Sequence, residues 1–455
     1  MPDVQELMAA LRPAAGETAL QLATTLLRFC REHRAELRQL CLDSGATRRR
    51  TDLRAQALGL FERIGKSRFF EGEDLDALEQ IALRSGAAAP LVARAFADAL
   101  DLSHGPRMFE LFGAERRTLR PDDPFPIINP RLAGLGAPLT PQPERLQPSL
   151  DAMRHLGLVP AGCELQVVLS FEGGGAYASL DRDSLVSVGL PVRAVSELAW
   201  KRYERDGESW FFEVAPQDQA TAADAVERIL DAAVEADVKV LVLPELSVGE
   251  QALARIRARY ASADERFPML VAGSFHQLDG ERRCNRAFIL LPGGLELAHD
   301  KFEPFSFQDE ATDDPSRQVT RREDIHCDPE PRLTLHVSKL WSFVTLICKD
   351  AMPLTTVNLL AALQPRMVLV PAMSPKTSPF SSSAAGLAQT YGQAVVLVAN
   401  STDHDEVNDP VSAVLARPLE PNTVMLASRR DVRPPAILTA NLMHSRTWVI
   451  RNFGQ

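Results

Sequence analysis

Two reactive side chains stand at the ends of apolar runs, where the chemistry of an α/β protein usually gathers. Glu245 follows the run LVLP, and Cys348 follows FVTLI. In open α/β sheets the loops beyond the carboxyl ends of the strands converge on one crevice, which brings such groups together. Lys301, in AHDKFEPF, is a third candidate, because the chain has only seven lysines against 43 arginines. Each residue alone more often has an ordinary role, as a solvated carboxylate, a surface lysine or an inert buried thiol.

Together, these three groups could carry out nucleophilic catalysis. The thiol of Cys348 would attack an acyl-type carbon, while the Glu245 carboxylate accepts the thiol proton and later passes it to the leaving group. The intermediate would be a thioester, which water activated by Glu245 hydrolyses. Lys301 and the backbone N–H of Lys349 would stabilise the negative charge that develops on the substrate. Pro353 opens a predicted helix, and a helix amino end near Cys348 would favour the thiolate.

The elements that must position these residues alternate between strands and helices after about residue 160. The strand-like runs are SWFFEV, VKVLVLPELS, PMLVAGSF, CNRAFILLP, LWSFVTLIC, RMVLVPAM and QAVVLVAN. Helix-like stretches, in which apolar residues recur every three or four positions, are TAADAVERILDAAVEA, PLTTVNLLAAL and SSAAGLAQTYG. This alternation predicts an α/β domain over residues 161–455.

The order Glu, Lys, Cys and the segments around it resemble the carbon–nitrogen hydrolase (nitrilase/amidase) superfamily. The matching segments are VLVLPELS, HDKFEPF and LICKDAM, and RRCNRAFILLPGGLELAHDK looks like the family's strand, glycine turn and strand leading to the lysine. VLVPAMSP and VVLVANST are similar to its later strands. The resemblance covers about residues 205–440. It implies a nitrilase-like four-layer αββα sandwich, with Glu245 as the base, Lys301 as the oxyanion stabiliser and Cys348 as the nucleophile.

Many members of that family have a second glutamate that orients the lysine and the substrate. The resemblance places it at Glu310 in FSFQDEATDD, with Glu303 and Asp309 as rivals. Any acidic residue in this stretch could equally be a solvated loop side chain; those between 308 and 331 are at 309, 310, 313, 314, 323, 324, 328 and 330. The same segment is a candidate lid or specificity loop. Lys349 departs from the aromatic residue that often follows the cysteine, and this leaves the substrate open.

The first hundred residues have a different pattern. The segments ALQLATTLLRFCREHRAELRQLCLD, TDLRAQALGLFERIG and GEDLDALEQIALRSG predict a small helical bundle over residues 1–105. Residues 121–148 contain eight prolines, which predicts a semi-rigid connector within 106–160. Because few contacts are expected across such a connector, the helical domain should be separable. It carries no visible chemistry, and docking of a protein partner is a role that would suit it.

Composition limits the function further. With 45% hydrophobic and 24% charged residues the chain is typical of a folded globular protein, and its net charge of −10 argues against nucleic acid as a partner. No apolar run approaches the ~20 residues needed to cross a bilayer, and no signal peptide is recognisable, so we expect a cytoplasmic protein. Six dispersed cysteines without a C-x-x-C pair, and the absence of P-loop, H-E-x-x-H, G-x-S-x-G and EF-hand motifs, predict neither a metal nor a cofactor.

The sequence therefore predicts a hydrolase that cleaves a non-peptide C–N bond of a small molecule, an amide in preference to a nitrile. The alternative is a non-catalytic module of the same fold, used for binding or signalling, whose N-terminal helices dock a protein. A thiol–histidine pair, Cys348 with His299 or His336, is a further arrangement, although neither histidine lies in a recognisable motif. The sequence leaves open whether the chain forms a homo-oligomer.

Overall fold

The computed structural model describes most of the chain, in two compact units. The first unit lies within Met1–Asn129 and Pro141–Cys163, and Glu164–Gln455 belong to the second. The described residues are 2–64, 69–113, 115–128, 152–173, 180–181, 183–192, 197–261, 266–311, 316–374, 378–391, 395–401, 411–420, 423–430, 432–442 and 447–453.

The first unit begins with helices, as the sequence predicts for this region. They are α1 (Val4–Leu11), α2 (Ala19–Glu32), α3 (Arg34–Cys41), α4 (Ser44–Ile64), α5 (Gly72–Ser85) and α6 (Ala89–Met108). Apolar residues at helical spacing form the core, and Leu22, Leu26 and Phe61 are fully buried. Thr18 starts α2 with a reciprocal capping box, and Gly86 ends α5 in the left-handed conformation.

Short strands follow the helices in the region predicted to be a connector. They are β1 (Arg117–Leu119), β2 (Pro124–Pro126) and β3 (Leu156–Leu158), and β2 pairs antiparallel with β3. Residues 129–151, which contain several of the prolines, lie outside the described residues. On the described flanks, α6 continues to Met108 and all three strands belong to the first unit. Independent folding of the two units stays a prediction.

The second unit is α/β, and each strand-like run of the sequence contains a strand. Its helices are α7 (Gln219–Glu235), α8 (Glu250–Tyr260), α9 (Leu354–Leu363) and α10 (Ser378–Tyr391). Its strands are β4 (Gln166–Ser170), β5 (Leu185–Leu190), β6 (Leu198–Arg205), β7 (Glu208–Pro216), β8 (Val238–Val242), β9 (Met269–Asp279), β10 (Arg282–Leu290), β11 (Glu296–Asp300), β12 (Ser306–Glu310), β13 (Gln318–Glu323), β14 (Arg332–Val337), β15 (Ser342–Thr345), β16 (Met367–Met373), β17 (Val395–Ser401), β18 (Val411–Glu420), β19 (Thr423–Arg430), β20 (Ala436–Asn441) and β21 (Val449–Asn452).

Two large sheets form the centre of the second unit. One has the strand order β11-β10-β9-β8-β5-β20-β21, and the other contains β4-β14-β15-β16-β17-β18-β19. Strands β16 and β17 of the second sheet contact β8 of the first. Helices α7 and α8 bury Ile229 and Ile256 against Leu241 and Leu270 of the first sheet, and α10 contacts the second sheet at β17–β19. The nitrilase-like αββα sandwich itself stays a prediction.

A third sheet, of four strands, borders the loop that follows β11. Its order is β12-β13-β7-β6, in which β12 and β13 pair antiparallel and β13 runs parallel to β7. The described part of the predicted lid segment is thus the β12–β13 pair, tied to the rest of the unit through β7. None of the described helices is long and apolar enough to cross a membrane.

Candidate active site

Glu245 lies three residues beyond the end of strand β8, where the sequence places it. Its backbone makes an isolated parallel bridge with Ser274, and the N–H of Leu246 donates to the Ser274 carbonyl at 2.7 Å. Gly273 makes this close approach possible, because it has φ +62° and a Cβ there would lie 2.2 Å from the carbonyl oxygen of Pro244. The bridge fixes the backbone of Glu245, whose side chain is almost fully buried.

The neighbouring strands add two more polar side chains beside Glu245. His276 lies two residues after Ser274, so both project from the same face of β9, and Asn285 of β10 is directly opposite His276. Asn285 Nδ2 donates to Glu245 Oε1 at 2.9 Å. The alternation of strand residues therefore collects these side chains on one face of the sheet.

Lys301 comes immediately after strand β11 and is held between two buried carboxylates. Its backbone N–H donates to the Asn285 carbonyl at 2.9 Å, which continues the antiparallel pairing of β10 and β11. Its Nζ donates to Glu245 Oε1 and to Glu323 Oε2, each at 2.7 Å. The side chain is 1% exposed, so the ammonium lies in a low-dielectric setting where its pairing is strong.

The second carboxylate on Lys301 is Glu323, and the prediction of Glu310 needs correction. The register of the β12–β13 pair explains the difference: Ser306 pairs with Arg322 near Lys301, whereas Glu310 pairs with Gln318 at the other end of the hairpin. Glu310 is exposed.

The two rivals named from the sequence also have other partners. Asp309 accepts from Arg321 Nε at 2.6 Å, and the backbone N–H of Glu303 donates to Asp350 at 2.8 Å. The burial along β13 alternates so that residues 319, 321 and 323 are the less exposed ones. This alternation puts Glu323 on the buried side of β13, but QVTRRE contains a single apolar residue, so the segment alone carries no signal for it.

Four donors surround the Glu323 carboxylate. Oε1 accepts from His276 Nε2 at 2.9 Å and from Asn285 Nδ2 at 2.8 Å. Oε2 accepts from Lys301 Nζ and from the backbone N–H of Phe305, the latter at 2.8 Å. Burial alone would raise the pKa of Glu323, but Lys301 and His276 outweigh it and hold that pKa well below its usual range. These donors therefore favour the ionised form of Glu323.

Cys348 stands two residues beyond the pairing of β15 with β16, at the start of a short 3₁₀ turn. Its φ of +49° is unusual for a residue with a side chain and is typical of a site where the backbone is constrained. The Glu245 carboxylate lies close enough to the thiol to raise its pKa, and Sγ lies 3.9 Å from the Met373 carbonyl oxygen. These contacts bring together all three residues that the sequence singled out.

The ionisation of Cys348 differs from the sequence-based expectation of a thiolate. Burial, followed by the neighbouring Glu245 carboxylate, raises the pKa of the thiol well above its usual value, and Lys301 opposes this only in part. The surroundings of Cys348 therefore favour the neutral thiol over the thiolate.

The pKa of Glu245 moves in the opposite direction from that of Glu323. Burial raises it, Lys301 opposes the rise, and the Glu323 anion adds to it. Burial would lower the pKa of Lys301, but the two carboxylates outweigh burial and raise it well above its usual value. The surroundings therefore favour the charged form of Lys301 and of Glu323 and increase the proton affinity of Glu245. Carboxylates whose pKa values are separated in this way can take different parts in proton transfer.

Asp350 braces the two loops that carry Lys301 and Cys348. Its fully buried carboxylate accepts from the backbone N–H groups of Phe302 and Glu303 through Oδ1, at 3.1 and 2.8 Å. Oδ2 accepts from the N–H of Ile347 at 3.2 Å. The loop after the lysine and the turn before the cysteine are thus joined through one side chain.

An apolar cluster lies beside these groups. Leu246, next to Glu245, and Met373, whose carbonyl contacts the thiol, pack in one cluster with the half-buried rings of Trp200 and Phe305. Phe307 belongs to it as well, with its ring centroid 5.6 Å from that of Trp200 and 6.0 Å from that of Phe305. The third sheet therefore contributes apolar surface close to the reactive group.

The histidine arrangement considered from the sequence has no support in these contacts. His299 Nε2 lies 3.3 Å from Asp350 Oδ2, and the ring of His336 stacks on Phe343 with centroids 4.7 Å apart. Within the part of the chain that the structure describes, no cluster of three or more His, Cys, Asp or Glu side chains could hold a metal ion.

Several solved structures are similar to this chain, although no protein-family profile and no curated protein matches it. An amidase from Nesterenkonia sp. is 17% identical, with a TM-score of 0.39 over 57% of this chain and 90% of the amidase. A variant of that amidase, in which the acetamide moiety of fluoroacetamide is covalently added at the active-site cysteine, is 15% identical, with a TM-score of 0.38 over 58% and 93%. A CN-hydrolase superfamily protein from Xanthomonas campestris, with an arsenic adduct in its active site, is 13% identical, with a TM-score of 0.36 over 57% and 89%.

Proposed function

We propose that this chain is a carbon–nitrogen hydrolase of the nitrilase type, which cleaves a small-molecule amide through a thioester on Cys348. The observation that carries the proposal is the buried group in which Lys301 bridges Glu245 and Glu323, with the Cys348 thiol beside Glu245. Burying an ammonium and two carboxylates carries a large desolvation penalty, which a purely structural role does not account for. Such a cluster of perturbed groups is typical of a catalytic site.

The first half of the reaction forms the acyl-enzyme. Cys348 Sγ bonds to the amide carbon as its proton passes to Glu245, and the carbonyl π electrons move to oxygen. Two of the three Lys301 N–H groups are used by carboxylates among the described residues, and the third would donate to the oxyanion together with the backbone N–H of Lys349. The C–N bond then breaks, and the departing amine takes the proton from Glu245.

The second half releases the acid. Water gives a proton to Glu245 as its oxygen bonds to the thioester carbon, and the second oxyanion forms at the same donors. When the C–S bond breaks, the sulfur takes the proton back from Glu245, so the site returns to its starting state and the products are a carboxylic acid and an amine. Glu323 stays ionised throughout and holds Lys301 in place.

Three further features belong to the same proposal. We expect the second unit to have the αββα arrangement of the resembled family, the two units to fold separately, and the protein to act in the cytoplasm. We expect a small-molecule substrate, and the net charge of −10 argues against nucleic acid.

The activity itself is tested by ammonia release from simple primary amides. Acetamide, propionamide and butyramide form a series that differs only in apolar length, and the apolar cluster beside the thiol favours the longer members. We expect ammonia from at least one of them with the wild-type protein and none above background with Glu245→Gln, which keeps the shape but removes the base. Equal release by both proteins would contradict the assignment of Glu245.

The pH dependence follows from the raised pKa of Glu245. The carboxylate must be ionised to accept the thiol proton, so activity is present above that pKa and is lost as the pH falls through it. The acid limb of the kcat/KM profile should therefore lie above about 4.3, the ordinary value for glutamate. The raised pKa of Lys301 keeps the ammonium charged on the alkaline side. An acid limb at or below the ordinary glutamate value would show that Glu245 is not the base.

A further inference from the structure

His276 lies between the four-stranded sheet and the buried ion cluster, and the proposed reaction steps do not use it. Its side chain is fully buried. Nδ1 accepts the backbone N–H of Val214, on β7, at 3.1 Å, and Nε2 lies 2.9 Å from Glu323 Oε1. A ring nitrogen that accepts a backbone N–H carries no proton, so the neutral ring has its proton on Nε2 and donates it to Glu323. The two hydrogen bonds thus assign the tautomer.

Glu323 accepts hydrogen bonds from more donors than Glu245 does, and His276 is one of the additional donors. Both accept from Lys301 and from Asn285 Nδ2. Among the described residues, Glu323 has two further donors, His276 Nε2 and the Phe305 backbone, whereas Glu245 has the Cys348 thiol beside it. The pKa of Glu323 is correspondingly low and that of Glu245 is raised. Surroundings that separate two carboxyl pKa values in this way decide which of the two moves a proton.

We propose that His276 is a positioning residue that donates to Glu323, so that Glu323 stays the fixed counter-ion of Lys301 and Glu245 stays the proton acceptor for Cys348. This inference rests on the proposed function, because the pKa difference between Glu245 and Glu323 matters only if Glu245 accepts the thiol proton. Without the His276 donor, Glu323 would bind a proton more readily. A protonated Glu323 would no longer hold Lys301, which would then pair with Glu245 alone and make it a poorer base.

The surroundings of the ring show that packing alone does not explain a histidine here. Phe212 stacks on it with centroids 4.7 Å apart and planes 29° apart, and Phe211 lies at 6.2 Å. The ring is flanked by two aromatic rings of β7, and Glu323 is the charged group hydrogen-bonded to it. A phenylalanine could fill this apolar site, whereas only a side chain with both an acceptor and a donor satisfies Val214 and Glu323 together.

Two substitutions separate these hydrogen bonds. His276→Asn places an oxygen near the Nδ1 position and keeps the acceptor for Val214, but it loses the donor to Glu323. His276→Gln reaches the Nε2 position with an amide N–H and keeps that donor. The exposed His326 is a matched control, because its Nδ1 also accepts a backbone N–H, from Arg283 at 3.1 Å. The readout is the rate constant for alkylation of Cys348 by iodoacetamide, an amide-shaped reagent, with peptide mass mapping and the exposed Cys327 as internal reference.

We expect His276→Asn to slow alkylation of Cys348 by roughly ten- to a hundredfold, the range for a lost hydrogen bond to a charged group. His276→Gln should stay within a few-fold of wild type, and His326→Asn should not differ from it. In a Glu323→Gln background the same His276→Asn change should have no further effect, because the Glu323 carboxylate through which His276 would act on the thiol is absent. The melting temperature of each variant shows that the folded protein is being compared.

The outcomes separate this inference from the proposed function. If Cys348 of the wild-type protein reacts no faster than Cys327, the thiol is not activated and the proposed function fails. If Cys348 is reactive but His276→Asn matches wild type, the role of His276 alone is refuted. A loss of the same size with and without Glu323 would also refute it, since His276 would then act through packing.

Discussion

Replacing Cys348 with serine should abolish turnover and leave the fold intact. A hydroxyl is far less acidic than a thiol, and this site already disfavours the anion, because burial raises the pKa of Cys348. Loss of an activated nucleophile costs on the order of 10⁴ or more in kcat, so residual ammonia release should be at background. Serine is close to cysteine in size, and it can keep the contact with the Met373 carbonyl. The melting temperature should therefore change little.

Cys284 provides a matched control for that experiment. It is buried to the same extent as Cys348, and its thiol lies 3.9 Å from the Arg282 carbonyl oxygen, as that of Cys348 does from Met373. Cys284→Ser should keep full activity. If Cys348→Ser retains more than about a tenth of wild-type kcat, or if Cys284→Ser is equally inactive, Cys348 is not the nucleophile.

Lys301→Met should lower kcat and kcat/KM together by ~10²–10³, because in the proposed reaction the ammonium stabilises an oxyanion that is present only in the transition state. It should also destabilise the protein, because Glu245 and Glu323 would be left as buried carboxylates without their cation; breaking such a pair costs about 3–5 kcal/mol. Lys301→Arg keeps the charge, but its planar fork does not fit a point held by two oxygens at 2.7 Å, so we expect it to fail as well.

The two effects of Lys301 can be separated by restoring the charge balance. Lys301→Met combined with Glu323→Gln removes one positive and one negative charge, so the melting temperature should recover by several degrees while kcat stays low. Lys349→Ala should cost much less activity, because its Nζ contacts the Pro304 carbonyl, at 3.0 Å, and its proposed part in catalysis is its backbone N–H. If Lys301→Met has near wild-type kcat, or if Lys349→Ala loses more activity than Lys301→Met, the oxyanion role does not belong to the Lys301 ammonium.

The candidate site shows what sequence patterns can and cannot predict. Glu245 and Cys348 follow apolar strands, which made them candidates, but it was the order Glu, Lys, Cys and its resemblance to a known family that singled them out. Lys301 was found because a lysine is rare in this chain and because its surroundings resemble a known family. The proximity of the three side chains depends on pairings between distant strands, such as the bridge from Glu245 to Ser274. No local sequence pattern contains such pairings.

The errors have the same cause. Glu323 was overlooked in favour of Glu310 because choosing between acidic residues on a hairpin requires the register, and the register depends on pairing with β7. The thiolate expected at Cys348 was inferred from a nearby helix end, whereas its ionisation is governed by burial and by Glu245, which only the tertiary structure reveals. His276 had no recognisable motif, because its role depends on partners 62 and 47 positions away.

Mass mapping tests directly whether Cys348 carries the acyl group during the reaction. The protein is quenched with acid during turnover of the amide that gives the fastest ammonia release. We predict an acyl group of the substrate on the peptide that contains Cys348, removed by hydroxylamine as a thioester is and absent from Cys348→Ser. Ammonia release without any acyl group on that peptide, or an acyl group on a different residue, would contradict the account.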